Sequence, residues 1–87
     1  MRIIYSPKFF RQYKKLPKEI KILAEEKEKV FRKNPFDSVL DTHKLHGRLR
    51  DFWSFSIDVR YRIIFEFGDN NDIVYFYFVG DHSVYKR

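Results

Sequence analysis

Three histidines and one strand-embedded arginine are the residues of this chain best suited to chemistry. His43 and His46 stand four-square around Lys44 and Leu45 in a stretch that also holds Arg48 and Arg50. His82 comes later, in the closing "VGDHSVYKR", with Tyr85, Lys86 and Arg87 behind it. Imidazole titrates nearest neutral pH and serves as acid, base or metal ligand. The H-x-x-H spacing has no third His or Cys beside it and no carboxylate pattern to complete a site, so no metal is expected. The other reading of this pair is two exposed loop histidines. Arg62 lies between Tyr61 and Ile63 in an apolar run. A charge there must find a partner, because an unpaired buried charge is costly. It either pairs with Glu66 or Asp58 on its own strand face, or clamps a phosphate with its planar fork. Behind the last apolar run, Gly80 lets the chain turn and Asp81 either orients an imidazole or caps the turn. His82 and Tyr85 are then either functional, or an exposed His and a Tyr packed back on the sheet.

Taken together, these residues suit RNA phosphodiester cleavage without a metal or other cofactor. A base takes the proton of a ribose 2′-OH, a cation stabilises the phosphorane, and an acid protonates the leaving 5′ oxygen. Aromatic side chains nearby would stack splayed bases, as single-stranded RNA requires.

Such a constellation needs a scaffold, and the hydrophobic periodicity supplies one. "RIIY" reads as a first strand over Arg2–Tyr5. Ser6-Pro7 is an N-cap followed by the first helical turn. Phe9, Tyr13 and Leu16 share a helical face, with Phe10 beside it, until Pro17 breaks the helix. A second helix from Lys18 carries Ile20, Leu23, Ala24, Lys27, Val30 and Phe31 at helical spacing and ends at Asn34-Pro35. Residues 36–51 read as irregular, polar and basic, with a turn at Gly47. The period then becomes two. Trp53, Phe55, Ile57 and Val59 face one way, as do Tyr61, Ile63, Phe65 and Phe67; Phe52, Ser54, Ser56, Asp58, Arg60, Arg62, Ile64 and Glu66 face the other. "GDNND" is a turn, and "IVYFYFVG" is apolar on both faces, as in a central strand. The expected fold is α+β in the order β-α-α-β-β-β. An N-terminal helical hairpin covers one face of a largely antiparallel four-stranded sheet. The opposite face is left open, polar, basic and aromatic.

The 87 residues make a single domain, 1–87. Apolar residues are 44% of the chain and sixteen residues are Phe or Tyr, too much apolar area for a disordered segment. There is no cysteine, which excludes disulfides and thiolate metal sites and suits a reducing cytoplasm. No apolar run is long enough to span a membrane and the N-terminus lacks the apolar core of a signal peptide, so a soluble protein is expected. The net charge is +6, and it is uneven: residues 1–35 carry +7 and residues 36–87 carry −1. The basic half is either a solvated helix surface or the electrostatic footprint of a polyanion.

The segments "HKLHGRLRDFWSFSI", "RYRIIFEF" and "VGDHSVYKR" resemble the RelE/ParE superfamily of type II toxins. The general pattern of the family is a K-x-L-x-G-x-L segment (here K-L-x-G-x-L over Lys44–Leu49), a Trp-Ser strand, an Arg before apolar strand residues, and a closing Gly-x-His with a late Tyr. The resemblance spans the whole chain. It implies a fold like that of a small microbial ribonuclease and an endoribonuclease that cuts mRNA in the ribosomal A site. It also implies a co-expressed antitoxin that holds the toxin inactive. Carried over by position, His43 lies where the YafQ-like branch has a catalytic His, and Arg62 lies where the RelE and YoeB-like branches bind phosphate. His82 matches a C-terminal His, and Tyr85 lies near a terminal aromatic. The implied roles are His43 as base, His82 as acid, Arg62 on the phosphate and Tyr85 stacking or orienting, with the two histidine roles exchangeable. Lys44, Arg48, Arg50, Arg60, Lys86 and Arg87 are the expected RNA-phosphate contacts. The chain also departs from its relatives. Ser56 and Arg60 stand where the YafQ-like branch has a second His and an Asp, and the Glu of the YoeB-like branch falls at His43. The ParE-like branch shares the fold but inhibits DNA gyrase and generally lacks the C-terminal His. A catalytically inactive interaction module is the third alternative.

Overall fold

The β-branched run at the N-terminus forms the first strand, β1 (Arg2–Tyr5), and Ser6 stops it by capping the helix that follows. The Ser6 hydroxyl accepts the Phe9 backbone N–H at 3.0 Å and donates to the Tyr77 carbonyl at 2.8 Å. One side chain thus starts helix α1 (Pro7–Lys14) and ties it to the sheet. Pro17 ends the connection and α2 runs from Lys18 to Lys33. In this computed structural model, which describes residues 1–70 and 72–81, the remaining elements are β2 (His43–Lys44), β3 (Trp53–Ser56), β4 (Arg62–Phe67) and β5 (Ile73–Gly80). Single turns of 3-10 helix at Ser38–Leu40 and Gly47–Leu49 flank β2.

The sheet has five strands in the order β1-β5-β4-β3-β2, one more than the four expected. The added strand, β2, is only two residues long and lies inside the stretch read as irregular. Its pattern is too short to show a period, and only its pairing with β3 defines it. The sheet is antiparallel except between β1 and β5, which run parallel because the two helices carry the chain back across one face.

A second difference concerns the alternation between Trp53 and Phe67. It does not run on through Val59, which is 89% exposed. Residues 57–61 form a bend between β3 and β4, in which the Asp58 carboxylate accepts the N–H groups of Arg60 and Tyr61, both at 2.8 Å.

The helix-side face of the sheet holds the core. Phe31 of α2 has no exposed surface, and its ring meets Phe55, Phe65 and Phe76 at 4.8, 4.9 and 5.5 Å. Phe9, Leu16, Ile20 and Ala24 from the hairpin and Ile57, Ile63, Val74 and Val79 from the sheet complete it. Val79 breaks the even-numbered inward pattern of Val74 and Phe76 because β5 carries a bulge. Ile64 pairs with Phe78 and Phe65 with Phe76, leaving Tyr77 as the extra residue. The bulge restores Val79 to the core and sets Tyr77 and Phe78 side by side on the second face. That face is not wholly open. Ser54, Ile64 and Leu45 are buried there, outside the helix-side cluster.

Candidate active site on the second face of the sheet

β2 owes its place to the turn before it. Asp37 caps the Ser38–Leu40 turn through its side chain, and Leu40 is fully buried. Asp41 then adopts left-handed backbone geometry, φ 50° and ψ 47°, a conformation that Asp tolerates better than most residues because its short polar side chain bonds locally. The chain reverses there and delivers His43 opposite Ser54.

Pairing across the sheet aligns His43 with Ser54 and Ser54 with Ile64, and Ser56 with Arg62 and Arg62 with Gly80. Residues directly opposite one another share a face, so His43 and Arg62 stand on the same side of the sheet. Asp41 joins them. Its carboxylate meets Arg62 Nη2 at 3.1 Å, and its backbone carbonyl lies 3.1 Å from His43 Nδ1. A carbonyl only accepts, so Nδ1 carries the proton and Nε2 is left as the acceptor of the neutral ring. The second arm of Arg62, Nη1, lies 3.5 Å from the hydroxyl of buried Ser54. Arg62 Nε is buried with no partner among the described residues.

The partner of Arg62 is therefore Asp41 from the preceding loop, not Glu66 or Asp58 of its own strand pair. Asp58 is engaged in the 57–61 bend, and Glu66 accepts the Tyr77 hydroxyl at 3.1 Å. Burial, and next the Glu66 carboxylate beside it, pushes the Tyr77 phenol above its ordinary range, so Tyr77 stays neutral. Aromatic rings border the cluster. Phe52 meets Tyr77 edge-on at 5.3 Å and Phe78 at 6.3 Å, and Tyr75 stacks on Tyr77 at 6.1 Å. Lys8 of α1 holds its ammonium 5.0 Å from the centre of the Phe78 ring, which carries the basic face of α1 to the edge of this surface.

The other expected residues are spread more widely. Lys44 follows His43 on β2 and pairs with Trp53, which packs against the core, so the pleat sends Lys44 to the helix side rather than beside His43. His46 caps the Gly47–Leu49 turn with its backbone and is exposed, as are Arg48 and Arg50; Arg50 Nη1 reaches the Gly47 carbonyl at 3.4 Å. Arg60 is exposed in the 57–61 bend, its guanidinium 5.5 Å from the centre of the Tyr61 ring, instead of lying on a strand with Arg62. His82, Tyr85, Lys86 and Arg87 lie outside the described residues. Asp41 was missed in the sequence; Phe52 was read as facing this side of the sheet but was not named as a site residue. Asp41 precedes His43 by two residues, the spacing of neighbours on one strand face, but that signal is readable only once β2 is recognised.

Among the described residues, no three or more His, Cys, Asp or Glu side chains are grouped to hold a metal ion. Among the same residues, no helix is long and apolar enough to cross a membrane.

Solved structures share this architecture end to end. YafQ from E. coli superposes with a TM-score of 0.80 at 18% identity, covering 100% of both chains. A YoeB/ParE toxin from Agrobacterium tumefaciens gives 0.79 at 13% identity over 94% of this chain and 99% of its own. RelE in the archaeal RelE–RelB complex from Pyrococcus horikoshii gives 0.74 at 17%, over 92% of both chains. No curated protein sequence matches the chain. The model of the family described as the ParE toxin of the type II toxin-antitoxin system parDE matches residues 3–84. With nearly its whole length matched and the RelE/YoeB/YafQ fold intact around the His43–Asp41–Arg62 cluster, the chain belongs to the ParE toxin family of type II toxin–antitoxin systems.

Proposed function

We propose that this toxin is an endoribonuclease that cuts mRNA in the ribosomal A site by metal-independent acid–base chemistry. The observation that carries the reading is the gathering of His43 and Arg62 around Asp41 on one sheet face, bordered by half-buried aromatic rings. In the proposed mechanism His43 Nε2 takes the 2′-OH proton. Arg62 stabilises the charge that develops on the phosphorane. His82 protonates the leaving 5′ oxygen, with the two histidine roles exchangeable, and Tyr85 stacks on or orients the RNA. Phe52, Tyr77 and Phe78 offer ring surface to a splayed base. Arg48, Arg50, Arg60, Lys86 and Arg87 are assigned to phosphates along the strand. Lys44 contributes from the far side of β2, through the overall field rather than at the scissile bond.

The partner set follows from the same reading: mRNA and rRNA as polyanions, and a cognate antitoxin that silences the toxin in the cytoplasm. Inhibition of DNA gyrase, which the resemblance implies for the ParE-like branch, is the alternative reading. One pair of assays separates them. Purified toxin should cut an mRNA placed on programmed ribosomes and leave gyrase supercoiling unchanged. Inhibited supercoiling with intact mRNA would transfer the protein to the gyrase class, and inactivity in both assays would make it an interaction module.

A further inference from the structure

Asp41 is an acidic residue at the mouth of a site assigned to an anionic substrate. Its carboxylate is 69% exposed, whereas the Arg62 side chain it holds is 13% exposed. The contact is a single N–O approach at 3.1 Å, made by Nη2. In a guanidinium, Nη2 and Nε form one edge whose parallel N–H bonds fit two oxygens of one oxyanion. Here that edge is half used, because Nε is buried without a partner among the described residues. An unmet buried donor is unfavourable, and an ion pair whose carboxylate is mostly exposed to water is weakened by solvent screening.

We infer that Asp41 is an affinity-setting residue of this site, an internal carboxylate that occupies Arg62 in the free protein and that an RNA phosphodiester must displace. The inference rests on the reading of Arg62 as a phosphate ligand. A phosphate supplies two oxygens to the edge where Asp41 supplies one, so exchange satisfies Nε as well as Nη2. Until exchange occurs, Arg62 is neutralised and contributes little to binding a polyanion. RNA that approaches without filling the edge also meets the Asp41 charge, which disfavours loose binding. The residue suits such a role because its backbone is set independently of its side chain. The left-handed turn and the Asp41 N–H to Ser38 carbonyl bond, at 3.3 Å, need no carboxylate. Asn and Gly both accept that geometry.

The test is binding of a fluorescein-labelled 2′-O-methyl oligoribonucleotide, which cannot be cut, followed by anisotropy across a series of KCl concentrations. Asp41→Asn and Asp41→Gly should each tighten binding by roughly two- to five-fold, the size of an exposed ion pair. Each should also steepen the dependence of log K on log salt by up to about one ion, because Arg62 then engages a phosphate. In an Arg62→Ala background most of that gain should vanish. Unchanged or weaker binding by both Asp41 variants would overturn the inference and make Asp41 a support for Arg62. An equal gain without Arg62 would overturn it too, as a general charge effect. Failure of the underlying reading looks different: Arg62→Ala alone would then bind as tightly as the unmodified protein.

Discussion

At the scale of single residues, Arg62 in the site and Tyr5 on β1 illustrate opposite uses of a polar side chain. Arg62 has a donor, Nε, that is buried and has no partner among the described residues, which suits it to a ligand. Tyr5 has its polar end satisfied. Its hydroxyl donates to the Glu28 carboxylate, and Arg32 holds the same carboxylate at 3.2 Å. Burial first, and the Glu28 contact second, pushes the Tyr5 phenol up to about 12. A phenol whose folded value is raised above its unfolded value stabilises the fold fully below the unfolded value. That contribution is lost as pH rises through the folded one. Stability measured by urea denaturation should therefore fall between about pH 10 and 12. Tyr5→Phe should flatten that fall while leaving the slope below pH 9 unchanged. Arg62 was legible in the sequence as a residue needing a partner, since an arginine amid Ile and Tyr poses that question directly. The identity of the partner was not. It came from a loop twenty-one positions away, and pairing at that separation is decided by the fold rather than by local pattern.

At the scale of elements, both helices were readable because each carries apolar residues at helical spacing with a cap or a proline at its boundary, and the three longer strands of the C-terminal half because their apolar residues alternate or run unbroken up to turn residues. Ser6, Pro7, Pro17 and Asn34 stand where the helices start and stop. The short elements were not readable. β2 has two residues, and the bulge at Tyr77 leaves no mark in a run that is apolar on both faces. These two features are also the ones that assemble the site, placing His43 opposite Ser54 and setting two aromatic rings together. What fixes the larger elements is the core around Phe31. Phe31→Ala removes a ring packed against three others and should destabilise the protein by about 3–5 kcal/mol, measured by chemical denaturation. A cost below about 1 kcal/mol would mean that α2 is not anchored to the sheet at this point. Ser6→Ala is a smaller perturbation with two bonds at stake. Loss of the α1 cap alone should cost about 1 kcal/mol.

At the scale of the molecule, charge and catalysis are divided between layers. The hairpin half carries most of the positive charge, and the sheet presents the cluster of His43, Asp41 and Arg62. Lys8 over Phe78 is where the two meet. That arrangement suits a protein drawn to RNA by a broad field and acting on it through few groups. The core is built from residues between Phe9 and Val79, so a chain ending at Asp81 should retain most of its far-UV dichroism and cooperative unfolding. The proposal places His82 and Tyr85 in the chemistry, so the same truncation should abolish cleavage; a truncated protein that still cuts would return those residues to a packing role. The central claim is that His43 and Arg62 act on one scissile phosphate. The most direct measurement is single-turnover cleavage of mRNA on programmed ribosomes by His43→Ala, Arg62→Ala and the double variant, with folding checked by thermal melting. Residues acting as a unit lose rate non-additively. Each single variant should slow cleavage by at least about a hundred-fold, and the double variant should be little worse than the slower single one. Cleavage by both single variants at the unmodified rate would contradict the account.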